Sequence, residues 1–199
     1  MQIDISADVF SRFGKLAKNS EKYPVYFEEK NNKRFILATN KRVVCVQFLA
    51  EGYGIDQNAA IVPNQQLIEQ CDIERNFSSV VKFTSSDQMK YTTVKTQMGF
   101  TVADNLFSEI PEHFENWRTW FPEQVATKTK GVMFCNLDNL ILIASCSPSG
   151  RVVFPARINT EIPVVLRDVH DPNWMGAFLP IEENGEKFDP AEVAEWIND

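Results

Sequence analysis

No run in this 199-residue sequence approaches the roughly 18 consecutive apolar residues of a membrane-spanning helix. The start, MQIDISADVF, lacks the basic-then-apolar order of a secretory signal. A cytoplasmic protein with no membrane partner is expected. There are only two histidines, His113 and His170, and the four cysteines, Cys45, Cys71, Cys135 and Cys146, form no C-x-x-C pair. That excludes the familiar zinc spacings and leaves reduced, buried thiols as the expectation. Also absent are a glycine-rich phosphate loop and a G-x-S-x-G nucleophile turn. Neither histidine has a carboxylate or cysteine at a recognisable catalytic spacing, and acidic pairs such as Glu28-Glu29 lack calcium-loop spacing. The expectation is a protein that is not an enzyme and carries no cofactor or metal. A net positive charge is missing too: the sum of −7 disfavours a surface uniformly attractive to nucleic acid, leaving at most a local basic face.

The composition, 44% hydrophobic and 24% charged, is that of a chain that buries a core. One pattern occurs three times along it. Ile3 to Ser6 reads as a strand, and from Ala7 to about Asn19 the residues Val9, Phe10, Phe13, Leu16 and Ala17 recur at helical spacing behind Ser6 as N-cap. Strand-like runs VYFEE (25–29), RFILAT (34–39) and RVVCVQFL (42–49) follow, separated by KNNK and by Asn40-Lys41. This is a βαβββ unit. The second copy runs from AAIVP (59–63) through the helix NQQLIEQC (64–71) to strands near Val80–Thr84, Lys90–Thr96 and Gly99–Ala103. The third runs from GVMF (131–134) through a helix-like NLDNLILIASC (136–146) to RVVFPAR (151–157), IPVVLRD (162–168) and WMGAFLPI (174–181). Within it LILIA (140–144) has no period to read and is compatible with strand or helix. The aromatic segment 107–124 between units two and three is expected to pack across a sheet, and FDPAEVAEWIND reads as a terminal helix with Asp189 as N-cap.

These segments, in this order, resemble the bacterial sliding clamp, the β-subunit type of DNA polymerase processivity factor, whose domains are each built from two βαβββ modules. VYFEEKNNKRFILATNKRVVCVQFL (25–49) resembles the family's strand, hairpin and LVATDGHRLAV stretch, with Thr39, Asn40, Arg42 and Val43 matching. IVPNQQLIEQ (61–70) is similar to VIVPxKxLxEL, and FTVADNLFSEIPEHFENWRTWFP (100–122) to RLIEGEYPDYRRVIP. IPVVLRDVHDPNWMGAFLPI (162–181) is similar to the clamp's closing PVLIxDxxDxxYxYVVMPMRL. The resemblance implies an α+β, DNA-clamp-like fold: three βαβββ modules with mainly antiparallel sheets and the helices on one face. It divides the chain into a two-module domain at 1–122, a third module or half domain at 123–183, and a tail with a short helix at 184–199.

The resemblance further implies a protein of DNA replication, either a polymerase processivity factor or a polymerase-associated scaffold. The alternative is a clamp-derived interaction module that binds partners without encircling DNA. The implied partners are a DNA polymerase or other proteins carrying clamp-binding motifs, together with double-stranded DNA, in a homo-oligomer. A ring that kept the family's twelve modules would take four such chains. For DNA, Arg12, Lys15 and Lys18 at spacing three on the first helix, with Lys22 beyond, form a basic face that is either a phosphate contact or an ordinary solvated surface. The other two helices carry no basic residue. For a partner peptide, the residues matching the family's hydrophobic pocket are Thr39, Arg42, Val43, Pro63, Ala177, Phe178, Leu179, Pro180 and Ile181. Glu182, Glu183 and the bulky Phe178 depart from the family's pattern there.

Overall fold

The structure is a computed structural model, and it describes residues 2–17, 22–50, 53–77, 79–85, 92–95, 99, 101–104, 106–121, 135–154 and 163–179. The first unit contains β1 (Gln2–Ser6), α1 (Ala7–Ala17), β2 (Val25–Lys30), β3 (Lys33–Thr39) and β4 (Val43–Leu49). Asn31 and Asn32 link β2 to β3 with φ of 54° and 62°, the left-handed pair that a tight two-residue hairpin demands. After a two-residue β5 (Gly54–Ile55), the second unit follows as β6 (Ala59–Ile61), α2 (Gln65–Glu74), β7 (Val80–Thr84), β8 (Thr92–Lys95) and β9 (Thr101–Asp104). A short β10 (Phe107–Ser108) leads into two 3₁₀ turns, Glu112–Phe114 and Trp117–Trp120. The third unit shows α3 (Leu137–Cys146), β11 (Val152–Val153), β12 (Val164–Asp168) and β13 (Trp174–Phe178). Asparagine side chains start two of the helices: Asn64 accepts from the Leu67 amide at 2.8 Å and Asn136 from the Asp138 amide at 2.8 Å.

The described strands form two sheets, β5-β1-β7-β8-β9 and β10-β6-β2-β3-β4-β13-β12-β11, and every described pairing is antiparallel. The first two units exchange their opening strands. β1 pairs with β7 of the second unit from Gln2↔Thr84 to Ser6↔Val80, and β6 pairs with β2 of the first through Val25↔Ile61. Each unit's opening strand is therefore paired with a strand of the other unit. α1 lies against α2, and Gly14 lets them approach: a Cβ there would stand 3.1 Å from Ile68 Cγ1 and 3.6 Å from Pro63 Cβ. The third unit extends the larger sheet by laying β13 on β4, from Trp174↔Gln47 to Phe178↔Val43.

Strand alternation then sorts the side chains. Ile36, Ala38, Cys45, Leu166 and Trp174 point into the main core with Phe13, Leu16, Leu67, Cys71, Ile143 and Cys146, so the α-helices among the described residues cover one face. Tyr26, Leu37 and Val46 point the other way and are covered by Phe114 and Trp117 of the 3₁₀ turns. Arg118 clamps this cover down: its guanidinium makes a two-pronged hydrogen bond to the buried Glu28 carboxylate and lies 4.2 Å from the Trp117 ring centroid. The α+β, antiparallel architecture with helices on one face is thus the one expected, and the aromatic segment does cross a sheet. LILIA resolves as helix, which buries Ile143 while Ile141 faces solvent. Cys45, Cys71 and Cys146 are buried free thiols, with Cys135 half-buried. The expected strand 131–134, the 155–157 part of RVVFPAR and the helix at 189–199 lie outside the described residues.

Candidate functional site

Where β13 meets β4, the seam between the first and third units opens into a cleft of about 410 Å³. Its buried members are Thr39, Val43, Val44, Ala177 and Phe178, and its other walls come from Tyr23, His113, Thr119, Trp120, Pro163 and Leu179. Lys22, Lys41 and Arg42 bring positive charge to it, and no acidic residue is among the described lining.

The β3–β4 turn that supplies one side is built from its own polar groups. Thr39 Oγ1 donates to the Val43 carbonyl at 2.7 Å and accepts from the Lys41 amide at 3.2 Å. Asn40 Oδ1 accepts from the Arg42 and Val43 amides, both at 3.1 Å. These bonds hold Lys41 at φ 78°, a left-handed conformation uncommon for a residue with a long side chain. The opposite side rests on the aromatic segment. His113 packs 5.6 Å from the Tyr23 ring centroid and stacks 6.0 Å from that of Trp120. Burial, reinforced by the nearby Lys22 charge, holds the His113 imidazole below its ordinary pKa, so it is neutral at neutral pH. The arrangement has apolar walls and a cationic rim, with no nucleophile–base pair among the described lining residues; it is suited to holding an extended apolar segment.

Of the nine residues expected to meet a peptide, Thr39, Arg42, Val43, Ala177, Phe178 and Leu179 come together here. Phe178 pairs directly opposite Val43, which places the two Cα atoms about 5 Å apart. Pro180 and Ile181 lie outside the described residues. Pro63 is not among the residues lining this cleft; it is buried beside Gly14 at the α1–α2 contact. It follows the end of β6, a strand four interstrand steps from β13, roughly 19 Å away across the sheet.

Arg12 and Lys15 of α1 are placed differently from one another. Arg12 points inward and is buried, its guanidinium bonded to Asp8 (3.0 Å), the Cys146 carbonyl (2.6 Å) and Gln47 (3.2 Å). Lys15 is half-exposed and pairs with Asp72 of α2 at 2.6 Å. Desolvation would raise the Asp72 carboxyl, but the hydrogen bond and charge of Lys15, aided by Ser11 and Arg75, outweigh it and hold the pKa below the ordinary value. Lys18 lies outside the described residues, and Lys22 belongs to the cleft. Tyr23, Lys41, Val44, His113, Thr119, Trp120 and Pro163 were not anticipated as cleft residues. The aromatic density of 107–124 was the available signal for the two from that segment with rings, His113 and Trp120.

Among the described residues, two antiparallel sheets, strand exchange between βαβββ units and α-helices on one face define a DNA-clamp fold. No protein-family model and no curated protein matches the sequence. Among solved structures, DNA polymerase III subunit beta from Borrelia burgdorferi, in complex with a natural product, aligns with a TM-score of 0.61 at 9% identity, over 92% of this chain and 63% of that one. The DNA polymerase sliding clamp from Pseudomonas aeruginosa aligns at 0.58 and 9% identity, over 92% and 67%. The beta sliding clamp of Caulobacter crescentus, with polyethylene glycol bound at what is described as a beta-motif tethering region, aligns at 0.54 and 10%, over 92% and 66%. The chain therefore has the bacterial sliding-clamp fold and spans between 63% and 67% of the length of these clamps.

Proposed function

We propose that this chain is a non-enzymatic clamp-fold scaffold of DNA replication that holds a linear peptide of a DNA polymerase, or of another protein with a clamp-binding motif, in the cleft at the β4–β13 seam. The observation that carries the reading is the convergence of Thr39, Arg42, Val43, Ala177, Phe178 and Leu179 on one apolar-walled cleft. Burying two or three Leu or Phe anchors there, at about 1.5–3 kcal/mol each, is of the size that micromolar affinity needs. Of the two forms such a scaffold takes, a DNA-encircling homo-oligomer or an interaction module that leaves DNA free, the burial of Arg12 and the pairing of Lys15 support the second.

Fluorescence anisotropy with a labelled Ser-Leu-Asp-Leu-Phe peptide tests the reading. Saturable binding is expected in the parent, with a loss of at least about tenfold in Leu179→Asp, because the substitution removes an apolar wall and a bound peptide would have to cover and desolvate the new carboxylate. Leu179 is 60% exposed, so the substitution leaves the fold intact. Equal binding by both proteins would remove the cleft from the account. Solution mass together with the salt dependence of duplex binding distinguishes the two forms: a ring requires an oligomer and a steep slope, a module neither.

A further inference from the structure

The charge of the chain is unevenly placed. Residues 182–199 hold seven acids and one lysine, which is six of the chain's seven net negative charges, and leave the rest one charge from neutral. The cleft is the reverse. Lys22, Lys41 and Arg42 are exposed at its margin, and no described ion pair engages any of them. Lys41 and Arg42 are presented on a turn that Thr39 and Asn40 hold in place, so their backbone positions are set before anything binds. The acidic segment also begins three residues after Leu179, itself a wall of the cleft. It contains Phe188, Trp196 and Ile197, apolar side chains of the kind the cleft accommodates.

From this complementarity we propose that segment 182–199 of the same chain occupies the cleft, its carboxylates against Lys22, Lys41 and Arg42 and an aromatic side chain between the apolar walls. The proposal rests on the reading of the cleft as a peptide site, and it makes the segment the ligand that any partner peptide must displace. Phe188 is nine residues beyond Leu179, so an extended chain gives it up to about 30 Å of reach, ample for a turn back onto the cleft. A short tether supplies an effective concentration in the millimolar range, which a free peptide of similar chemistry does not match in solution. Salt weakens the contact, because its charged part is exposed.

The test is zero-length carbodiimide cross-linking of the full chain at high dilution, read by mass spectrometry, with the Lys15–Asp72 pair at 2.6 Å as internal standard. Lys22 or Lys41 should link to carboxylates of segment 182–199 within the monomer, and high salt should suppress those links. In parallel, the full-length variant Glu182→Gln, Glu183→Gln, Glu186→Gln, Asp189→Asn should bind the labelled Ser-Leu-Asp-Leu-Phe probe on the order of tenfold more tightly than the parent, as expected when the parent's cleft is free about a tenth of the time. The proposal is overturned if Lys15–Asp72 links form without any link from the cleft lysines to the segment, if such links occur only in cross-linked dimers, or if the probe binds parent and variant with the same measurable affinity. Probe binding without the links leaves the peptide scaffold standing and removes its internal ligand. Monomer links with no probe binding in either protein support the internal contact and count against the partner-peptide function.

Discussion

Replacing Arg12 with methionine separates a structural arginine from a DNA-facing one. The side chain is 8% exposed, and its three partners belong to three elements: Asp8 on α1, Gln47 on β4 and the Cys146 carbonyl at the end of α3. Methionine keeps the aliphatic stem and removes the donors. Asp8 is 42% exposed and regains water, and Gln47 keeps its hydrogen bond to Asp171, so those two losses are small. The Cys146 carbonyl is buried and terminates α3, where a cation also complements the helix dipole. Losing a charged donor there costs about 1.5–3 kcal/mol, and the stranded acceptor adds on the order of 1 kcal/mol. The expected sum is about 3 kcal/mol, which at a urea m-value of about 2 kcal/mol/M lowers the unfolding midpoint by about 1.5 M. Lys15→Ala should cost at most about 1 kcal/mol, because its ion pair is half-exposed and screened. Urea unfolding followed by circular dichroism measures both. A midpoint change below about 0.3 M for Arg12→Met, or a duplex-binding salt slope that drops by about one contact while stability holds, would refute the inward-facing assignment.

Two further outcomes follow from the described contacts. Gly176→Ala would place a Cβ 2.8 Å from the Trp174 ring and 2.9 Å from Ile143 Cγ2, both fully buried, so destabilisation of about 1–3 kcal/mol is expected in urea titrations. A neutral result would mean that the β13–α3 packing yields easily. For His113, the folded protein holds the imidazole below its ordinary pKa near 6.5, so the unfolded chain binds the proton more readily. Stability from this group is therefore complete above about pH 6.5 and declines as pH falls from there toward the lower folded pKa. His113→Phe should flatten that decline in denaturation midpoints measured from pH 7.5 to 5.5, and an unchanged profile would assign the pH dependence elsewhere.

Local pattern determined much of the architecture without help from the fold. Val80–Thr84 carries its strand in its own alternation, Val81 and Phe83 being buried between exposed neighbours, and α1 carries its apolar side in Val9, Phe10, Phe13 and Leu16. Such periods are properties of single elements, so they survive in the sequence. LILIA has no period to read, and in the fold it is helix, with Ile143 in the main core and Leu140 and Leu142 packed against it. Which strands pair across units was decided by tertiary structure: β1 joins β7 from nearly eighty residues away, a choice no local signal encodes. The same is true of the two sites. Arg12 and Lys15 share a face of an isolated helix, yet the end of α3 closes over one and not the other, since a spacing rule describes a helix before anything packs against it. The cleft joins segments near 22, 42, 113, 163 and 178, and Pro63, a match by sequence, is carried four strands away. Distance across a sheet depends on strand order, and strand order exists only once the chain has folded.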